Sequence, residues 1–372
     1  NSGITFVAGA DKYRNFAGTD NWSAVGWATS SGGAVSNDNF PLAQDTCIFE
    51  AGSPNSGAAV NLNASYNIGT IDMSARTTNT MTLATSSNTP AIYGNWINGT
   101  GVTISGTGTL TFAGRGSQTI TSAGRTFTQG FTIDTPSGSV TLQDAFETNR
   151  NTSVAVSLNS GTFDANGYNV TISGSTGGVN LDDTTTTRTV AVGSGTWTIA
   201  GTSGWDASPS TGLTVTGTGT IRFTSASSKS FAGGDLNYSG ITIDQAGAGQ
   251  LTIAGNNTFA NITNSHSATG ATTLNFGTTT QRVADFTATG TAGNVLTIQG
   301  TSATSPCTLI YTGTAPSTAT TPSTDYLTLT GVRAYPLQST WFAGNNSSNN
   351  GSLGWLFQAE ALGTTGAFFL LF

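Results

Sequence analysis

The segment GVTISGTGTLTF, Gly101 to Phe112, returns further along the chain as GLTVTGTGTIRF, Gly212 to Phe223. The echo continues: FTID at 131–134 returns as ITID at 241–244, and GSVTLQ at 138–143 as GQLTIA at 249–254. Within each copy the apolar residues alternate with Thr. Val102 and Ile104 fall on one side of the chain, as do Leu110 and Phe112, Phe131 and Ile133, and Val140 and Leu142. The second copy matches them with Leu213 and Val215, Ile221 and Phe223, Ile241 and Ile243, and Leu251 and Ile253. Between the copies lie Val154, Val156 and Leu158, then Val170 and Ile172, then Trp197 and Ile199, in the same rhythm. Successive side chains of a strand point to opposite faces, so each unit reads as a short strand with an apolar pair inward and Thr outward.

Composition removes the competing readings. Thr, Ser, Asn and Gly are poor helix formers, and no i, i+3, i+4, i+7 pattern is sustained. A Gly/Ser/Thr-rich chain can be disordered, but here the apolar residues are patterned, and 19 Phe, 8 Tyr and 7 Trp supply bulk. Charged residues are 8% of the chain, against roughly 25% in an average soluble protein. The net charge is −7 with only 11 basic residues and no Lys/Arg cluster, which argues against nucleic-acid binding through phosphate contacts. No apolar run is long enough to span a membrane.

Many short strands fit a sandwich, a barrel or a solenoid, and the repeat favours the solenoid. A coil of a parallel β-helix takes roughly 20–25 residues, so a repeat of about 111 residues predicts about five coils per copy. The expected architecture is an all-β parallel β-helix, a β-solenoid of right-handed winding, with Gly and Asn at its corners. The alternative is a pair of antiparallel sandwiches of about 110 residues, which the scarcity of Asn-Gly and Asp-Gly hairpin turns disfavours. Residues 1–60 read as an N-terminal cap or attachment segment, with Trp22, Trp27 and Phe40 covering the first coil. Residues 61–330 read as the solenoid, and 331–372 as a C-terminal cap and interface segment. The stretch Thr312–Pro322 reads as a loop. The apolar terminus GAFFLLF, Gly366 to Phe372, is expected to be buried over the last coil or in a homo-oligomer, with a trimer around a long axis favoured.

The stretch TDYLTLTGVRAYPLQSTWFAGNNSSNNGSLGW, Thr324 to Trp355, resembles the closing segment of Thr/Gly-rich β-solenoid proteins of tailed-bacteriophage virions and some bacterial surfaces. The residues carrying the resemblance are Asp325, Tyr326, Leu327, Leu329, Trp341, Phe342, Ala343, Gly344, Asn346, Ser347, Gly354 and Trp355. Asn21 and Trp22, GTLTFAG and KSFAGGDLNYSGITID (Lys229–Asp244) are similar to that family's interior coils. Pro336 and Leu337 stand where a Gly-rich turn is usual. The resemblance implies a virion tail fibre, spike or head-associated appendage, with other virion proteins and a host glycan or receptor as partners. It specifies no receptor.

Parallel β-helices also host polysaccharide lyases and hydrolases, which makes every carboxylate a candidate. Adjacent strand residues face opposite ways, so Asp182 and Asp183 form a poor acid/base pair and a better turn. Asp134 and Asp244 recur with the repeat and read as strand ends. Asp144 and Glu147 are better spaced, but nothing in the sequence ties them to a cleft. His266 is the sole histidine, and no GxSxG elbow accompanies it. Cys47 and Cys307, at opposite ends of the chain, fit neither a disulfide framework nor a metal spacing and read as buried thiols. No Walker lysine follows the Gly-rich stretches, and no calcium nonapeptide occurs, so no catalytic, cofactor or metal residue is assigned. The Asn-x-Ser/Thr triplets at Asn98 and Asn261 are expected by chance in such a composition. Tyr66, Tyr93, Trp96, Trp205, Tyr238 and Tyr335 sit among Asn, Gly and Ser and read as exposed rings able to stack on sugars or on a coil edge. The expected role is a non-enzymatic virion component. A bacterial cell-surface adhesin or extracellular filament subunit is the first alternative and a β-helix polysaccharide lyase or hydrolase the second.

Overall fold

Residues 8–313, 324–336 and 341–357 are described by the structure, a computed structural model. Thr alternating with Val, Ile, Leu or Phe does form strands, and the strands are wound in parallel. Among the described residues there is no α-helix, and the only antiparallel strand pair is at the N-terminal end. The chain is a β-solenoid of about 12 coils. The antiparallel sandwich is excluded, because neighbouring strands run the same way in every other ladder.

Each coil carries up to three strands, stacked into three faces. Thr109–Phe112 lies on face one, Ser117–Thr121 on face two and Thr126–Phe127 on face three, and residue 130 returns the chain to face one. Face one runs from Asn67–Ile68 to Ser348–Asn350. Register sets the coil length. Ile92 pairs with Phe112 and Phe112 with Ile133, whereas Ile298 reaches its partner Leu329 only after a markedly longer stretch of chain. That longer coil contains the segment read as a loop, of which residues 314–322 lie outside the described residues.

Register also stacks the core. Leu110, Phe131, Val156, Val179, Trp205, Phe231 and Ile253 form one inward column across seven coils, each no more than 2% exposed. Burying each such side chain stabilises by about 1.5–3 kcal/mol. Aromatic rings reinforce the column, with Phe112 stacked on Phe131 at 6.2 Å and Trp205 on Phe231 at 6.3 Å. Val154 is a correction: it is 37% exposed, because the strand begins at Val156 and Val154 lies in the preceding loop.

The N-terminal edge is closed by the aromatic segment. Asp11–Arg14 pairs in parallel with Thr46–Ile48 on one side, and Trp27–Ala28 covers its other side antiparallel. That denies the first rung of face two to other strands. Trp22 and Trp27 pack edge to face at 4.9 Å over Phe49, and Phe40 is half-buried against Tyr66. The terminus Gly366–Phe372, on which the trimer expectation rests, lies outside the described residues.

The sequence repeat is not five coils. Val102–Ser105 belongs to face three, whereas its echo Leu213–Thr216 belongs to face two. Thr109–Phe112 is on face one and its echo Thr220–Phe223 on face three. The second copy therefore sits one face short of five full coils. Two of the coils that intervene are longer than the coil that opens the first copy: Val179 pairs with Trp205 and Trp205 with Phe231, each a wider step in sequence than Phe112 to Ile133. Each face asks the same of a strand, an apolar pair inward and small hydroxyls outward, so one strand sequence serves on any of them.

Candidate functional site

The carboxylates bind their own backbone and neighbouring coils rather than converging. Asp183 closes a turn, accepting from the Thr185 hydroxyl and N–H, both at 2.7 Å, and these bonds hold its carboxyl below the usual range. Asp134 accepts from the Ser160 hydroxyl of the next coil at 2.7 Å. Asp244 accepts from Ser265 through both N–H and hydroxyl and pairs with Arg222 at 3.4 Å. Asp144 and Glu147 turn in opposite directions along the axis. Asp144 reaches back to the N–H groups of Ser122 and Ala123, and Glu147 accepts forward from Ser173. Both thus join coils. His266 lies in the short 3-10 segment Ser265–Ala268, its ring nitrogen 3.1 Å from the Thr269 hydroxyl. Among the described residues no group of three or more His, Cys, Asp or Glu could hold a metal ion, and no helix is long and apolar enough to cross a membrane.

Cys47 and Cys307 are free and fully buried, and burial pushes the Cys307 thiol up to about 12 and Cys47 well above its ordinary value. Asn98 is buried too: its amide accepts from the Trp96 ring N–H at 2.8 Å and donates to the Ser122 carbonyl. Asn261 exchanges bonds with Thr287 on the next coil.

Three of the six aromatics read as exposed are core residues. Trp96 and Trp205 are 0% exposed and Tyr238 is 1%. The flanking Asn, Gly and Ser build the corners while the rings point inward, and the Tyr238 hydroxyl donates to the Gly233 carbonyl at 3.0 Å. Tyr66 is half-buried against the core; Tyr93 and Tyr335 are exposed.

Four cations inside the coils escaped the sequence reading. Arg14, Arg76, Arg188 and Lys229 are all buried, and each donates to backbone carbonyls. Arg76 bonds Glu50, Ala51, Pro54 and Thr80, and Lys229 bonds Ser225, Gly247 and Gly249. A buried cation in such a position satisfies several backbone carbonyls at once.

The described residues of the segment Thr324–Trp355, 324–336 and 341–355, form a bonded closing module. Asp325 accepts from the backbone and side-chain N–H of Asn346 and from Tyr326 N–H. Burial opposes its charge, but these three bonds outweigh that and hold the carboxyl below its ordinary range. The Ser347 hydroxyl accepts from Leu327 N–H and donates to the Ala343 carbonyl. Trp341 and Trp355 pack edge to face at 5.0 Å beneath Phe286. Gly344 has φ +76, and a Cβ there would lie 2.3 Å from Asp325 Oδ1.

Two recesses interrupt the ladders. On face three, no backbone pairing joins Val102–Ser105 to Thr126–Phe127, and a recess of about 260 Å³ opens there, lined by Val102, Thr103, Ile104, Gly124, Arg125 and Thr126. On face two, none joins Leu213–Thr216 to Asn237 and Tyr238, and a recess of about 160 Å³ is lined there by Val215, Thr216, Asn237 and Ser239 among others.

No family model matches the chain, and no curated protein or solved structure matches it either. The fold and its closing module define a parallel β-solenoid, and its role has to be argued from that architecture.

Proposed function

We propose that the chain is a structural protein of a tailed-bacteriophage virion. It serves as a rigid solenoid fibre, spike or capsid-surface appendage in host attachment or surface display, and it catalyses no reaction. The observation that carries this reading is the closing module. Among the residues in which the sequence resembles virion solenoids, Asp325 bonds Asn346, Leu327 bonds Ser347, Trp341 packs on Trp355, and Gly344 lies close against Asp325. The resemblance is therefore to a working part rather than to scattered composition. A lengthwise core suits a rod, because load passes from coil to coil without an interdomain joint. Its partners in this reading are copies of itself, a trimer by preference, other virion proteins and a host surface glycan.

Mass spectrometry of density-purified phage particles, with immunogold labelling of the rod, tests the assignment. Stoichiometric presence on the particle is expected. Recovery only from a bacterial envelope fraction would transfer the same rod to an adhesin. Depolymerisation of a capsular polysaccharide by the purified chain would overturn the non-enzymatic role.

A further inference from the structure

The two recesses share one kind of ladder interruption. Ile104 and Val215, and Thr126 and Asn237, are each separated by the period of the sequence repeat and line the first and second recess, whereas Gly124 lines the first and its counterpart Asp235 lies in the turn beside the second, so the two linings are offset along the strands. The local backbone matches as well. Val102 N–H bonds Gly99 O, and Leu213 N–H bonds Ser210 O. The corner glycines Gly106 and Gly217 have φ +107 and +124, and left-handed pairs follow at Ala123–Gly124 and Gly234–Asp235. What the duplication reproduces is an interruption in the ladder, set once on face three and once on face two.

The interruption leaves peptide groups without a ladder partner on one side. Met81 and Thr85 donate to Gly101 and Ser105, so the odd-numbered residues of that strand face the preceding coil, and Ile104 faces the opening. Val215 does the same in the second copy, since Arg188 and Val192 donate to Gly212 and Thr216. The openings are narrow. Asn98 N–H bonds Thr121 O on one side of the first, and Gly130 N–H bonds Gly108 O on the other; Thr242 N–H bonds Gly219 O beside the second. An inserted β-strand needs two strand spacings, roughly 9–10 Å, and does not fit. A sugar hydroxyl both donates and accepts, so it can bridge the two facing edges. The rims add Thr103 and Thr126 at the first opening and Thr216, Asn237 and Ser239 at the second. The first also holds Arg125, whose Nε is buried without a protein partner.

We propose that the two ladder interruptions are paired saccharide-binding sites, each taking one sugar residue of a surface polysaccharide, with Arg125 giving the first a preference for an acidic sugar. The sites lie one face apart around the axis and roughly 20 Å apart along it, from just under five coil spacings. They therefore engage separate glycan strands and add avidity. This deepens the attachment role and rests on it, yet the particle assignment can hold while this fails.

Ligand-observed NMR and calorimetry on the full chain, with glucose, galactose, N-acetylglucosamine and glucuronic acid as probes, test it. Two weak sites are expected. Thr126→Trp and Asn237→Trp, both at exposed rim positions, are expected each to remove one site, and together to abolish binding while the circular dichroism spectrum stays unchanged. Arg125→Gln is expected to weaken glucuronate about tenfold and leave the neutral sugars unchanged. No binding of any probe to the folded chain, leaving water as the sole occupant, overturns the proposal, as does binding that survives the double variant.

Discussion

A buried guanidinium or ammonium held by no ion pair looks unfavourable until its partners are counted. Lys229 meets three carbonyls, and Arg188 bonds those of Leu181, Thr186 and Thr211. Arg188→Met keeps the stem and strands those carbonyls, and is expected to cost about 2–4 kcal/mol in a denaturant melt; Lys229→Met leaves Gly247 and Gly249 bonded by Thr272 and Gln245 and is expected to cost less. The thiols give a second test. Cys307 titrates near 12 in the fold, and a thiol in the unfolded chain near 8.5, so the fold favours the protonated form. Its contribution is complete below about 8.5 and is lost as pH rises toward 12. Alkaline melts should show stability falling across that window, less steeply in Cys307→Ser, and neither thiol should react with a disulfide reagent until the chain unfolds. Burial of the cysteines was legible in the sequence, because their spacing fits nothing else. The carbonyl-bound cations were not, since nothing near Lys229 in the sequence marks carbonyls that only the winding gathers. Trp96, Trp205 and Tyr238 misled for the opposite reason: polar neighbours that mark a loop here mark only the corner beside an inward ring.

Individual strands were the most legible elements, because a period of two is a local property. Which face a strand joins was not legible, since it depends on the accumulated length of every earlier coil. Corners are where substitutions should tell. Gly106 has φ +107, and a Cβ there would lie 2.4 Å from Ser86 N; for Gly217 the approach is 2.7 Å to Gly193 N. Gly106→Ala and Gly217→Ala are each expected to destabilise by about 1–3 kcal/mol and to raise hydrogen exchange in the adjoining coils. In the closing module, Asp325→Ala leaves the two N–H groups of Asn346 and that of Tyr326 without their acceptor. Limited proteolysis is expected to open residues 341–357 first in that variant, at a cost of about 1–2 kcal/mol. The motif residues of this module were legible as a pattern, whereas the bonds that make them one unit appear only once the final coil is wound.

At the scale of the molecule, stability is distributed: each coil is held by the two beside it, and the ends need closure that the middle does not. The aromatic N-terminal strand and the C-terminal tryptophan pair provide it. Low charge and a lengthwise core together suit a rod that presents hydroxyls to solvent, and both the proposed attachment role and the proposed saccharide sites depend on its winding. Cysteine pairs test that winding most directly, since residues in register on adjacent coils lie one strand spacing apart, about 4.8 Å, near the range a disulfide spans. Thr111 is in register with Thr132, and Thr132 with Ser157, whereas Thr111 and its sequence echo Arg222 lie on different faces. Under mild oxidation, Thr111→Cys/Thr132→Cys and Thr132→Cys/Ser157→Cys are expected to form disulfides while the folded chain stays intact, and Thr111→Cys/Arg222→Cys to remain reduced. Disulfide formation in the 111/222 pair, with none in the two register pairs, would contradict the solenoid.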